Sequence, residues 1–501
     1  MTIRQVAVAF ALAAALSMSA CSAGSTATQV GRIADADSLV VGTTGVPASL
    51  DFTTTAGAAI PQAMMANIYE GLVRIDDDGQ IEPLLATSWE VSEDRTVYTF
   101  QLREGVRFSD GSAFTADSAV FSINYVQDSW TNGLKSQMAV VSSAKALDEY
   151  TLQVSLTQPS HRWLWSMGTL TGAMFSPTGV DQLATNPVGT GPFTLERFAV
   201  GESVSLSARA DYWGTPAQQD ASIRYFSDAT SAVNALRSGD IDVVWSMQAP
   251  ELLDNLPEEY DVQVGTTNGE VLLAMNNDSP PFDDPRVRRA AANAVDRDAL
   301  NLVVWEGLAT DTGGAPVPPS DPWFTGDEYL DFNPERAREL LAEAGYNSND
   351  NRPHITIAVP TLPYAQNISE LLYSQLSEVG FEVTLESVEF PAVWLSQVFS
   401  EQDYDMSIMA HVEARDLPTL FGDPDYYLGF DNTEVQEQLL AADTQLDETS
   451  HMISAVETIM AQTGALTVFN QPNIVITAPG ITGIEPTVVT DALALAGIDK
   501  Q

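Results

Sequence analysis

Among the 501 residues there is one cysteine, Cys21, three lysines, Lys135, Lys145 and Lys500, and four histidines, His161, His354, His411 and His451. A single cysteine excludes an intrachain disulfide framework and a CxxC redox or zinc site. The histidines form neither HxxxH nor HExxH, and there is no Gly-x-Ser-x-Gly elbow. GTGPF at 189–193 has the glycines of a phosphate loop but lacks the Gly-Lys-Ser/Thr ending. Acidic neighbours such as Asp283 and Asp284 arise by chance among 68 carboxylates, so no catalytic constellation stands out and no cofactor is expected. No run of eighteen apolar residues is present, which argues against a membrane-spanning helix. With 22 basic residues against 68 acidic ones the formal charge is −46, a field that repels nucleic acid and anionic headgroups and makes a nucleic-acid partner unexpected.

What is present begins at the N-terminus. MTIRQVAVAFALAAALSMSAC has an early base, Arg4, and an apolar run from Val6 to Leu16, too short to span about 30 Å of hydrocarbon but suited to a signal-peptide core. Met18-Ser19-Ala20-Cys21 resembles a bacterial lipobox, with Met where Leu is usual. The resemblance implies a signal peptide over 1–20 and a diacylglycerol on Cys21, the only membrane contact expected. Two acyl chains anchor stably where one is marginal. Residues 21–37 are small and polar and read as a flexible tether. The protein is therefore expected outside the cytoplasmic membrane, lipid-anchored, in a periplasm or at a cell surface.

The length calls for two or three domains. Ser38-Leu39-Val40-Val41-Gly42 reads as a short buried strand, and Pro61 to Leu72 as a helix. From Thr96 the chain alternates, with Val97, Phe100 and Leu102 apolar; Arg103-Glu104-Gly105 is read as a turn and Val106-Arg107-Phe108 as the returning strand of a hairpin. Thr115 is an N-cap for the helix that follows, with Asp117 in its first turn. FNPERARELLAEAGY places Ala337, Leu340, Leu341 and Ala344 on one helical face. Strands alternate with helices over about 186–300 and 354–410, which indicates an α/β fold.

Residues 68–122, IYEGLVRIDDDGQIEPLLATSWEVSEDRTVYTFQLREGVRFSDGSAFTADSAVFS, resemble the signature region of family 5 extracellular solute-binding proteins, the oligopeptide, dipeptide and nickel-complex receptors of ABC importers. NPVGTGPFTLERF (186–198), ADYWG (210–214), IRYFSDATSAVNALRSGDIDVV (223–244), NNDSPPFDDPRVRRAAANAVDRDAL (276–300), FNPERARELLAEAGY (332–346) and YYLGFDNTEVQEQLLAADT (426–444) resemble later segments of that family in order. The resemblance implies a two-lobed periplasmic-binding-protein fold with an added subdomain in the first lobe and a ligand cleft between lobes. Carried over, lobe I is 38–75, 186–270 and 470–501, its subdomain 76–185, and lobe II 271–469. It also implies a monomeric, non-enzymatic receptor that closes on a peptide-like or zwitterionic solute and delivers it to the permease subunits of an ABC importer. The alternatives are a metal chelate or other small solute as cargo, a ligand-sensing or chaperone lipoprotein, and an exported hydrolase.

Peptide-binding relatives carry a segment like Gly-Trp-x-x-Asp-Tyr-x-x-Pro whose aspartate pairs with the peptide ammonium group. Here it reads AHVEARDLPTLF (410–421), and alignment on Pro418 puts His411 in the tryptophan's place and Ala414 in the aspartate's. Leu362 stands where dipeptide receptors have an arginine for the ligand carboxylate. Both dipeptide anchors are thus replaced. If the preceding strand continues, His411, Glu413 and Arg415 share one face by two-residue periodicity. Arg415 is then a fork for a carboxylate, Glu413 or Asp416 a partner for an ammonium group, and His411 a ligand for a chelated metal. The resemblance adds Thr44, Gly45 and Val46 in the loop after the first strand, and Tyr125, Trp245, Tyr364 and Trp394 as aromatics lining the cleft.

Overall fold

The computed structural model describes residues 38–501 apart from 56 and 349. The signal segment, Cys21 and the tether lie outside the described residues. A ten-stranded mixed sheet runs in the order Glu382–Val388, His354–Pro360, Met406–His411, Asp261–Met275, Leu466–Thr477, Val243–Val244, Leu39–Thr43, Ala221–Tyr225, Ser203–Ala208 and Phe193–Ala199. Leu39–Thr43 is buried along its whole length and lies parallel to both of its neighbours. A strand covered on both faces needs an unbroken apolar run, and LVV supplies it.

Two long antiparallel strands cross from one half of the sheet to the other. Residues 261–266 pair with 472–477 and residues 270–273 with 466–470, with a register shift between Thr266 and Glu270. At the shift, side chains take over from the ladder. Thr267 Oγ1 donates to Gln471 O at 2.8 Å, Asn470 Nδ2 donates to Thr267 O at 2.8 Å, and Asn268 Nδ2 donates to Val489 O at 3.1 Å. Such a break lets two sheet halves flex about a few residues. Two hydrophobic cores flank it. One is built on Phe52, Tyr69, Phe100, Trp163 and Phe175, the other on Phe282, Trp323, Leu341, Phe421 and Phe469.

A separate four-stranded antiparallel sheet has the order Ala86–Val91, Val97–Leu102, Thr151–Leu156, Val141–Asp148. This corrects the expected hairpin: Val97–Leu102 pairs with 86–91 and 151–156, while Arg107 makes only an isolated bridge to Ala113. Tyr98, Phe100 and Leu102 turn inward and Val97 is half-buried. The turn that mattered lies on the other side of the strand, at 92–96. There Ser92 and Asp94 side chains bind the backbone and Arg95 takes a left-handed φ of 56°. The expected helix from Pro61 to Leu72 is also shorter, Ala59–Met64, and Ala66 at φ 62° turns the chain away. Ala116–Ser129 forms as expected, with Thr115 N donating to Ser118 Oγ in a capping box. Pro334–Glu343 buries Ala337, Leu340 and Leu341 as its periodicity requires. No helix among the described residues is long and apolar enough to cross a membrane.

Candidate functional site

A cavity of about 760 Å³ lies between three bodies. The shifted strand pair and the C-terminal segment contribute Asn268 and Thr490–Ala492, the region around the four-stranded sheet contributes residues from Leu134 to Thr171, and the turn after Met406–His411 contributes Val412–Arg415. Met65, Leu134, Val140, Trp163 and Leu170 give it an apolar wall. Glu413, Asp443, Asp491, Arg162 and Arg415 give it charge. This is the common build of a small-molecule site, apolar with a few charged groups.

The strand stops at His411, which overturns the shared-face expectation for His411, Glu413 and Arg415. Val412 is exposed at the cavity, and Arg415 sits at φ 56° just before Asp416, the cap of Leu417–Gly422. A tight turn rather than two-residue alternation gathers the four residues. The nearest His411, Glu413 and Asp416 donor atoms all lie within 4.8 Å of one another. His411 is buried, stacks on Tyr427 and shares a hydrogen bond of 2.8 Å between Nε2 and the Tyr427 hydroxyl. Burial pushes its imidazole down to about 4, so it is neutral near pH 7. Its Nδ1 faces Asp416 Oδ2 at 3.8 Å.

Arg415 does not present a free fork to a ligand carboxylate. Its guanidinium carbon lies 3.5 Å from the Trp165 ring centroid and 4.8 Å from that of Trp323. Nη2 donates to Gly79 O at 3.1 Å, while Asp321 and Glu448 lie at 3.9 and 3.5 Å. Trp165 and Gly79 belong to the first part of the chain and the other partners to the second, so Arg415 bridges the two sides. The backbone comes close here too. A Cβ on Gly79, whose φ is 72°, would lie 2.9 Å from Ser320 O.

A second clasp closes the cavity near Asp443. Its carboxylate accepts from Ser160 Oγ at 2.8 Å and from Arg162 N at 2.9 Å, and Arg95 Nη1 donates to Thr444 O at 3.1 Å. His161 Nε2 lies 2.6 Å from Gln445 O.

Behind the wall the acids are crowded. Burial raises Asp321 to about 7, with Arg415 pulling back. Burial also raises Glu270 and Asp416 well above the usual carboxylate range, with nearby acids adding to both. Asp491 is open to the cavity yet surrounded by protein, and this burial together with Glu413 lifts it to about 6.

The other predicted residues are not part of the wall. Thr44 is half-buried, while Gly45 and Val46 are exposed after Leu39–Thr43. Tyr125 stacks on Phe121 and meets Phe175, and Trp245 is buried in that same core. Trp394 donates from Nε1 to Ser407 Oγ at 3.0 Å, and the Tyr364 hydroxyl accepts from Ala410 N at 2.9 Å. Those last two brace the strand that leads to His411. Sequence reasoning missed Arg162, Asp443, Asp491 and Asn268. Asp443 lies in the 426–444 segment but nothing in that segment singles it out, the other three belong to no motif, and Asn268 meets Val489 across 221 residues.

The family described as bacterial extracellular solute-binding proteins, family 5 Middle, matches residues 80–430. The glutathione-binding protein GsiB of Shigella flexneri is 29% identical over 360 residues, 68% of this chain and 68% of its own length. Among solved structures, the periplasmic binding protein DppA of Helicobacter pylori in complex with the peptide STSA has a TM-score of 0.74 at 24% identity, covering 92% of this chain and 97% of that one. NikA of Brucella suis with Fe(III)-EDTA has a TM-score of 0.81 at 21% identity, covering 92% and 100%. At these identities the two structures show a shared two-lobed fold.

Proposed function

The chain belongs to the bacterial extracellular solute-binding proteins of family 5, the substrate-binding components of ABC importers, and from that premise we propose that its cargo is a peptide-like or zwitterionic organic solute. The observation that carries this reading is the cavity of about 760 Å³ shared by subdomain, strand crossover and the 412–415 turn. That volume suits a small solute enclosed by closure of two lobes. Lobe I is read as 38–75, 186–270 and 470–501, its subdomain as 76–185 and lobe II as 271–469, with the hinge at the register shift. A monomer tethered through lipidated Cys21 and handing cargo to permease subunits completes the reading.

Native mass spectrometry of the purified protein, before and after unfolding and refolding, tests it. An organic adduct that disappears on refolding, and that Ala414→Trp prevents by filling the cavity, is the expected result. A refolded wild type that gains no small organic solute from a peptide mixture would count against it.

A second reading has its own support. His411, Glu413 and Asp416 offer one neutral imidazole and two carboxyl groups within 4.8 Å, and Tyr427 orients the imidazole from its far side. That donor set suits the metal of a chelate as cargo. Elemental analysis of the purified protein, with His411→Asn as control, decides it.

A further inference from the structure

We propose that the cavity selects cargo of net positive charge, with Asp491 and Glu413 as the counter-charges for a protonated amine or guanidinium group. This deepens the reading above and rests on it.

The argument is a balance of charge around one enclosed volume. Five charged side chains line the cavity: Glu413, Asp443, Asp491, Arg162 and Arg415. Arg415 is spent elsewhere, held between two indole rings and facing Asp321 and Glu448 behind the wall. Asp443 is spent as well, since Ser160 Oγ and Arg162 N already donate to it. Arg162 is exposed and lines the cavity, but one guanidinium cannot offset both of the remaining acids. Glu413 and Asp491 remain, both lining the cavity, with Glu413 adding to the cost of ionising Asp491. Two carboxylates that repel across a partly dry space are relieved by a cation placed between them.

The two residues come from opposite sides. Asp491 sits beside the strand crossover, where Val488 N donates to Thr266 O, and Glu413 sits on the turn after His411. A cation between them therefore draws the two sides together, and closure and charge recognition become one event. The formal charge of −46 adds long-range attraction for cations and repulsion for anions. An acidic solute meets unfavourable potential on approach and again at this acid pair.

The test uses the full chain, refolded to remove any bound solute, and three dipeptides of similar size: lysyl-alanine, methionyl-alanine and glutamyl-alanine. Titration calorimetry should give lysyl-alanine at least tenfold tighter binding than methionyl-alanine, with glutamyl-alanine weakest. Asp491→Asn and Glu413→Gln should each shrink the lysyl-to-methionyl ratio at least threefold, and Asp491→Glu should restore most of it. Melting temperatures read alongside show that each variant is folded. Equal binding of the three, tighter glutamyl-alanine, or a ratio unchanged in the two neutral variants overturns the proposal.

If none of the three binds, the adduct carried by the protein as purified decides. A cationic organic adduct supports the proposal, and a neutral or anionic one overturns it while leaving the solute-binding reading in place. A metal-only adduct, or none, overturns both this proposal and the organic-solute reading.

Discussion

Arg297 and Arg415 are both nearly buried, at 6% and 10% side-chain exposure, and each faces two carboxylates. They are held very differently. Arg297 Nε donates to Asp311 at 2.9 Å, Nη2 donates to Glu328 at 2.6 Å, and Nη1 donates to the Leu330 carbonyl. Burial pulls its guanidinium down, but those bonds win and hold it above its usual range. Around Arg415 the carboxylates stand off at 3.5 and 3.9 Å, Nε has no hydrogen-bond partner, and burial wins, so the guanidinium is pushed below its usual range. The first is a fixed rivet whose partners all lie within 297–330. The second is a loose contact between the two sides of the cavity, satisfied well enough to hold them together and poorly enough to let go. A two-lobed receptor needs both kinds.

The comparison can be broken at its strong end first. Arg297→Ala leaves Asp311 and Glu328 without their shared partner, and because both acids are partly exposed the cost should fall near the low end for such losses, about 3 kcal/mol. A urea midpoint unchanged from wild type would remove the rivet. Arg297→Lys should recover only part of the loss, since an ammonium group cannot make the fork.

A pH series sharpens the comparison at its weak end. Asp321, raised to about 7 by burial, and Asp491, raised to about 6, keep protons in the folded chain that the unfolded chain has released. Glu270 and Asp416 act in the same direction. The folded state therefore binds more protons between about pH 4 and 7, and stability falls as pH rises through that window. His411 works against this, since its folded value of about 4 lies below the ordinary 6.5, but one imidazole opposes six carboxyls, Glu70 and Asp405 being raised by burial as well. Asp284, held low by its hydrogen bonds to Arg286, titrates below the window. Urea unfolding should be harder at pH 5 than at pH 8, with the gap narrowed in Asp321→Asn. No gap in the wild type would contradict the buried acid cluster.

Arg415→Ala should cost less overall stability, about 2 kcal/mol for a buried guanidinium–indole contact, and the loss should appear in closure and binding. The smallest effect belongs to Val46→Ser. Val46 is 45% exposed and outside the cavity wall, so stability should stay within about 0.5 kcal/mol and binding should be unaltered. A large loss of binding there would return the 44–46 loop to the site.

Local order was readable where the local rule and the tertiary structure agree. The helix after Asn333 follows from its apolar spacing and its cap, whose Asn333 side chain accepts from Arg336 N. The 410–421 segment was found through family resemblance, but its geometry was not. Two-residue periodicity fails once the strand ends, and nothing local announces that Arg415 will adopt a left-handed φ. The engagement of Arg415 depends on Trp165 and Gly79, some 250 and more residues earlier. Asp491 is still harder to find. DALALAG has no periodicity that singles out its acid, and only the fold of the C-terminal segment against the crossover brings it to the cavity. The aromatics were misleading for the opposite reason: large rings are mostly buried for packing, and Trp245 and Trp394 follow that tendency.

Small-angle X-ray scattering of Arg415→Ala beside wild type, each refolded and then titrated with lysyl-alanine, tests the central contrast most directly. Wild type should contract as the dipeptide saturates it, while Arg415→Ala should keep the wider cargo-free radius or require at least tenfold more dipeptide to contract. Superimposable titrations would contradict the account, because Arg415 would then be another rivet and not the contact on which closure turns.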